Sequence, residues 1–197
     1  DISIPVPYNY YKEQGWKYQQ YIACLDPLGE DRGKTPYALN PEQYGMFLTE
    51  LFNLWYEDWK KGEQPYIRQF ENYIGILLGY QPESCEQRGS CGTQNVYPCD
   101  FYALDEYKLG NFNCNRLEEI DKKRKEIAFV EQSQIVAENC KNCKFYKICK
   151  GGCRRNKDFN AMNGEYENYF CKSYRIFFDI CLERMIQIVE IIKNQKG

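Results

Sequence analysis

Four cysteines, Cys140, Cys143, Cys149 and Cys153, fall within fourteen residues at the spacing C-x2-C-x5-C-x3-C. Cys85, Cys91 and Cys99 upstream and Cys171 downstream bring the number to eight, enough for two four-thiolate sites. The chain has no histidine, so mixed Cys/His zinc sites are excluded. All-thiolate zinc, iron–sulfur clusters and disulfides remain. Disulfide scaffolds are usually secreted domains below about 80 residues. This chain has 197 residues and an odd eleven cysteines, which argues against them. A zinc ribbon prefers two C-x2-C knuckles, and here only Cys140 and Cys143 make one. The x5 and x3 intervals wrap chain around something larger than one ion, which favours a cubane cluster. A non-catalytic zinc-binding interaction module is the rival from another class. Lys141, Lys144, Lys147, Lys150, Arg154 and Arg155 interleave with the thiols. Cations favour deprotonated sulfur, although the same side chains would also solvate a surface loop. Gly151 and Gly152 let backbone approach a bulky ligand or take positive φ.

Composition narrows the rest. A hydrophobic share of 43% with 27% charged residues suits a globular core. A net charge of −2 offers no electrostatic case for nucleic acid. No apolar run approaches the ~20 residues that span a bilayer, so no membrane association is expected. The start, Asp1-Ile2-Ser3-Ile4-Pro5, has neither the features of a signal peptide nor an initiator methionine, so the chain reads as a fragment. A reducing cytoplasm is the natural home for so many thiols.

The elements that would position the thiols read as follows. Residues 1–7 are extended, Tyr8 to Gln14 forms a short helix, and Lys17 to Cys24 a strand. Helix, strand and a Pro/Gly-rich exit resemble the last step of an α/β barrel. Cys24 at the strand end reads as a buried structural thiol rather than one facing an active site. Asp31 to Ala38 is polar loop. Asn40-Pro41 caps an amphipathic helix carrying Tyr44, Phe47, Leu48, Leu51, Trp55 and Trp59 and ending near Gly62. A second helix carries Phe70, Tyr73, Ile74, Leu77 and Leu78 on one face. These aromatic stripes read as core. Val96-Tyr97-Pro98 suggests a short strand, Leu117 to Phe129 an exposed charged helix, and Asp158 to Glu165 a polar loop. Glu167 to Asn194 is a long helix with Phe170, Tyr174, Phe177, Phe178, Cys181, Met185, Val189 and Ile192 on one stripe, where Cys181 is packing.

The run from Cys140 to Arg155, ending Ile148-Cys149-Lys150-Gly151-Gly152-Cys153-Arg154-Arg155, resembles the SPASM region of radical SAM enzymes. It resembles the anaerobic sulfatase-maturating enzymes more closely still. Gln20-Tyr21-Ile22-Ala23-Cys24-Leu25-Asp26-Pro27-Leu28, Val96-Tyr97-Pro98-Cys99-Asp100-Phe101-Tyr102 and Tyr169-Phe170-Cys171 agree in order. The likeness runs from about Tyr11 to about Arg184.

The resemblance implies a helix-rich α+β fold. Residues 1–30 would be the last helix–strand of a partial radical SAM barrel and 31–80 a helical connector. Residues 81–197 would be a SPASM auxiliary-cluster domain with a short β-hairpin and a long C-terminal helix. It implies one [4Fe-4S] cluster on Cys85, Cys91, Cys99 and Cys153, and a second on Cys140, Cys143, Cys149 and Cys171. Asp100 would deprotonate the cysteine or serine of an unfolded sulfatase peptide on its way to Cα-formylglycine. S-adenosylmethionine and a third [4Fe-4S] cluster would belong to the missing barrel, and an electron donor or acceptor such as ferredoxin or flavodoxin is implied. Two features depart from the pattern. The C-x3-C-x2-C signature is absent, so this chain alone is expected to be inactive. Between Cys91 and Cys99 only Gly92-Thr93-Gln94-Asn95 and Val96-Tyr97-Pro98 stand where the relatives carry a longer, hairpin-like stretch. The rival within the enzyme class is a SPASM enzyme that forms a thioether or carbon–carbon crosslink in another peptide.

Overall fold

The computed structural model describes residues 5–91 and 96–195. The chain packs as two units, Asp1–Pro82 with Tyr169–Gly197, and Glu83–Asn168.

The first unit starts with α1 (Pro5–Glu13) and β1 (Tyr18–Gln19). Proline is tolerated in a helix's first turn, where N–H groups have no intrahelical acceptor. The helix therefore begins before Tyr8, and residues 5–7 are helical rather than extended. Residues 1–4 of that expected extended stretch lie outside the described residues. The strand expected from Lys17 to Cys24 is only two residues long. It pairs in parallel with β2 (Tyr66–Ile67), Tyr18 against Tyr66 and Gln19 against Ile67. Its partner then turns into α3 (Arg68–Leu77), which leaves Gln20 no ladder to continue. Cys24 accordingly stands on a loop and is exposed, not buried. Asp26 anchors that loop by accepting from the Gly33 amide at 2.9 Å and the Thr35 hydroxyl at 2.8 Å.

Between the two strands runs α2 (Pro41–Lys61). Asn40 Oδ1 accepts from the Gln43 amide at 2.8 Å, and Gln43 Oε1 accepts from the Asn40 amide at 3.1 Å, a reciprocal cap. The helix ends at Gly62, as expected. The long helix α9 (Cys171–Asn194) packs against α2 and α3. Phe52 meets Phe70 edge-on at 5.2 Å and Phe177 at 5.9 Å, and Tyr73 meets Phe178 at 5.0 Å. Each such buried side chain contributes about 1.5–3 kcal/mol. Of the aromatic stripes Tyr44, Trp55, Phe70 and Tyr73 are core, Phe47 and Trp59 are half-buried, and Cys181 is fully buried beside them. Polar contacts set the register: Ser173 Oγ donates to the Pro41 carbonyl at 2.5 Å, and Lys172 pairs with Glu42. Tyr8 donates to Asp58 at 2.7 Å, beside the Lys12–Asp58 ion pair. Among the described residues no helix is long and apolar enough to cross a membrane.

The second unit is built from short pieces. They are α4 (Cys85–Arg88), 3-10 turns at Asp100–Tyr102 and Asp105–Tyr107, α5 (Leu117–Glu126) and α6 (Phe129–Ser133). Next come α7 (Glu138–Lys141), α8 (Tyr146–Cys149), a 3-10 turn at Arg154–Asn156, and the hairpin β3 (Lys157–Asn160) with β4 (Glu165–Asn168). Four expectations need correction. Val96–Pro98 is a bend, tied by the Leu109 amide to the Val96 carbonyl at 2.7 Å, and Pro98 has no N–H to extend a ladder. The charged helix stops at Glu126. Ala128, at φ +46°, re-aims the chain so that Phe129 is buried edge-on to Tyr102 at 4.9 Å. The polar loop at Asp158–Glu165 is instead largely hairpin, with Phe159 and Tyr166 paired across it at 5.3 Å. Its strands lack alternation because neither face is buried along its length: of the eight residues only Asn168 is buried. β4 also takes the residues expected to open the last helix, so α9 starts at Cys171 rather than Glu167.

Candidate metal centre

Cys85 opens α4, and Cys91 lies three residues past its end. Their side chains and that of Cys153 line one cleft of about 200 Å³, mouth included, with Ser133, Gly152 and Arg154 among its walls. Cys99, at the start of the 3-10 turn Asp100–Tyr102, lies within electrostatic reach of Cys85 and Cys91.

Cys153 reaches this cleft because its own run reverses. Lys150, Gly151 and Gly152 take φ of +55°, +82° and +73° in succession. The left-handed region costs a residue with a Cβ about 1–2 kcal/mol, and glycine far less. Two of the three are glycines, so only Lys150 carries that cost. The turn is held by Asn168 Nδ2, which donates to the Gly151 carbonyl at 3.0 Å, and by the Gly152 amide, which donates to the Cys149 carbonyl at 3.1 Å. Gly151 also passes close to the other thiols: a Cβ there would stand 3.8 Å from Cys140 Sγ.

Local amides and cations serve the sulfurs. Cys153 Sγ accepts from the Arg155 amide at 3.4 Å, and the Cys99 thiol accepts from the amides of Phe101 and Asp100. Burial pushes the Cys153 thiol up to about 12. Burial also raises Cys91, against the Ser133 hydroxyl and Arg154, and raises Cys99, against the Phe101 amide. Burial outweighs these donors and cations, so the thiols resist ionising. A positively charged metal group would displace their protons. Soft sulfur donors around one cleft, with N–H bonds to sulfur, fit an iron–sulfur cluster. Among the described residues no three Cys, Asp or Glu side chains close on a single-ion site, and the cysteines form no disulfide.

Of the second group, Cys140 is on α7, Cys143 follows it, and Cys149 ends α8; all three are half-buried. The Cys143 amide donates to the Cys140 carbonyl at 3.1 Å, the Tyr146 amide to the Cys143 carbonyl at 3.0 Å, and the Cys149 amide to the Phe145 carbonyl at 2.9 Å. Cys171 is exposed, opens α9 and belongs to the first unit. Asp100 is exposed beside Cys99, and its charge contributes to the raised thiol there. Cys24 and Cys114 are exposed. Gly92–Asn95, the segment shorter than the family pattern, lies outside the described residues.

Two residues at this site carry no signal in the sequence. Ser133 Oγ accepts from the Cys91 amide at 3.0 Å and donates to the Val130 carbonyl at 2.6 Å. Lys157 donates to the carbonyls of Ser133 and Ile135 at 3.3 and 3.4 Å. Both sit in polar stretches that read as surface.

A cysteine-type anaerobic sulfatase-maturating enzyme of Clostridium perfringens (strain 13 / Type A) is 42% identical over 193 residues, which is 94% of this chain and 52% of that protein. The chain matches the C-terminal part of anaerobic sulfatase-maturating enzymes. The cysteine-type enzyme of Clostridium novyi (strain NT) is 38% identical over 192 residues, 94% of this chain and 51% of that protein. The serine-type enzyme of Bacteroides thetaiotaomicron is 28% identical over 214 residues, 96% of this chain and 51% of that protein. Among solved structures, native anSMEcpe with bound AdoMet and Cp18Cys peptide superposes with a TM-score of 0.85 at 40% identity, covering 94% of this chain and 53% of that one. The chain therefore spans about half the length of the relatives it matches, and the helix-rich α+β fold with few strands agrees with theirs. No family model matches the chain.

Proposed function

We propose that this chain is the auxiliary-cluster part of a cytoplasmic radical SAM enzyme that oxidises a cysteine or serine of a sulfatase peptide to Cα-formylglycine. In this reading Cys85, Cys91, Cys99 and Cys153 hold one [4Fe-4S] cluster, and Cys140, Cys143, Cys149 and Cys171 hold a second. The observation that carries it is the course of Cys153, which leaves the dense run through three left-handed residues and opens onto the cleft of Cys85 and Cys91. Similarity over 94% of the chain to sulfatase-maturating enzymes supports the reaction. When bound, the clusters would supply one-electron transfer, passing the substrate's second electron to a carrier such as ferredoxin or flavodoxin.

The chain's own residues do the rest. Amides at Cys99 and Cys153 orient the thiolates and stabilise their charge. Asp100, whose backbone is held by Cys99, presents an exposed carboxylate that takes the proton from the substrate thiol or hydroxyl. Loss of that proton makes loss of an electron easier. In this reading S-adenosylmethionine and a third cluster would belong to a radical SAM barrel outside this chain.

The test uses the full-length protein, purified anaerobically. Iron and acid-labile sulfide should match the clusters, and a sulfatase-motif peptide should gain an aldehyde by mass spectrometry. Asp100→Asn should keep its iron and lose the aldehyde. Cys140→Ala should remove one cluster and spare much of the other, whereas Cys153→Ala should disturb the first. A crosslinked peptide without aldehyde would transfer the chain to another SPASM chemistry. Zinc without iron or sulfide would replace the reading with an interaction module.

A further inference from the structure

Lys157 occupies a position that the reaction above does not use. It follows the 3-10 turn that Cys153 caps and begins β3. Its ammonium is tied to the Ser133 and Ile135 carbonyls, and Ser133 is the residue whose hydroxyl holds the Cys91 amide. Three thiols act on it electrostatically: Cys140 most, then Cys91 and Cys153. These come from both cysteine groups. Burial is the larger effect and, with Arg154, lowers its pKa, while the thiols support its charge, as expected of a partly desolvated ammonium among sulfurs. Lys141, Lys144 and Lys147 are exposed, and Lys141 is paired with Glu138 at 2.8 Å, so solvent and counter-charge screen them. Among the described residues Lys157 is hydrogen-bonded to neutral carbonyls, which leaves its charge to act on the thiols.

We propose that Lys157 is a positioning charge shared by the two thiolate groups, which raises the reduction potential of the clusters they bind. The inference rests on the two-cluster reading above. Reduction adds an electron to a group already negative from its four thiolates, and a fixed cation nearby stabilises the reduced state more than the oxidised one. Placed against both groups, one lysine lowers the electrostatic cost of charge at either end of a transfer between them.

The experiment compares Lys157→Met and Lys157→Arg with the wild type in the full-length protein. Iron and sulfide are measured first, then midpoint potentials by anaerobic redox titration followed by electron paramagnetic resonance. Lys157→Met should keep its iron and shift at least one auxiliary couple about tenfold toward the oxidised state, ~59 mV more negative for one electron. Lys157→Arg, which keeps the charge, should stay near the wild type. Iron lost from Lys157→Met but kept by Lys157→Arg would also support a need for the charge. Unmoved potentials in an iron-replete Lys157→Met protein would overturn the proposal. So would equal iron loss in both variants, which would mark a lysine needed only for its shape. Absence of iron from the wild type would instead refute the two-cluster reading itself.

Discussion

Replacing either of two helical glycines with alanine should have opposite effects on stability. In α2, a Cβ on Gly45 would stand 3.0 Å from the Ser173 carbonyl oxygen and 3.1 Å from both Ser173 Cα and Ile176 Cβ in α9. Two of these three atoms are backbone and cannot rotate aside. Ser173 is pinned besides by its hydrogen bond to the Pro41 carbonyl. Alanine gains about 1 kcal/mol in helix propensity over glycine. Forcing an extra carbon into a close-packed crossing costs about 1–3 kcal/mol. The clash wins, for a net loss of about 1 kcal/mol. In α3, a Cβ on Gly75 would meet nothing nearer than Tyr80 Cβ at 4.0 Å, an ordinary contact. There the propensity gain stands nearly alone, at about 0.5–1 kcal/mol. The two variants should differ by about 2 kcal/mol, or roughly 4–8 °C in melting temperature for a chain of this size. Thermal unfolding followed by circular dichroism measures this. A Gly45→Ala protein that melts at or above Gly75→Ala would refute the packing argument. The crossing matters to the site because it seats the start of α9, and Cys171 with it.

Two further predictions follow from charge and from metal. The Asp58 carboxyl is held below the usual carboxylate range: burial works against its ionised form, but the Lys12 ammonium and the Tyr8 hydroxyl outweigh it. A folded-state pKa below the unfolded value of about 3.9 gives stability that is complete above that pH and is lost as pH falls through the folded value. Acid should therefore weaken the first unit from about pH 4 downward, and Asp58→Asn should flatten that dependence in a pH series of melts; an unchanged slope would exclude the pair as its source. On the proposed two-cluster reading, stripping iron should loosen the second unit, whose helices are mostly one turn long and whose core rests on Tyr102, Phe129, Phe145 and Ile148. Amide exchange should then accelerate there while α2, α3 and α9 keep their protection; equal acceleration in both units would count against metal-dependent folding of the second.

The sequence by itself determined what depends on local spacing and residue chemistry. Asn40-Pro41 specified the start of α2, and the 3.6-residue stripes of α2, α3 and α9 specified which faces are buried. The apolar stripe identified Cys181 as packing. Tertiary structure decided whatever depends on partners distant in sequence. β1 is short because β2 ends at Ile67, and Cys24 is exposed for that reason. The polar strands β3 and β4 form because they pair with each other, and pairing leaves no period-two stripe when neither face is buried. Cys153 faces the cleft of Cys85 and Cys91 because three successive left-handed residues turn it there. Ser133 and Lys157 join the site through hydrogen bonds to backbone groups, and a backbone carbonyl or amide has no letter of its own in a sequence.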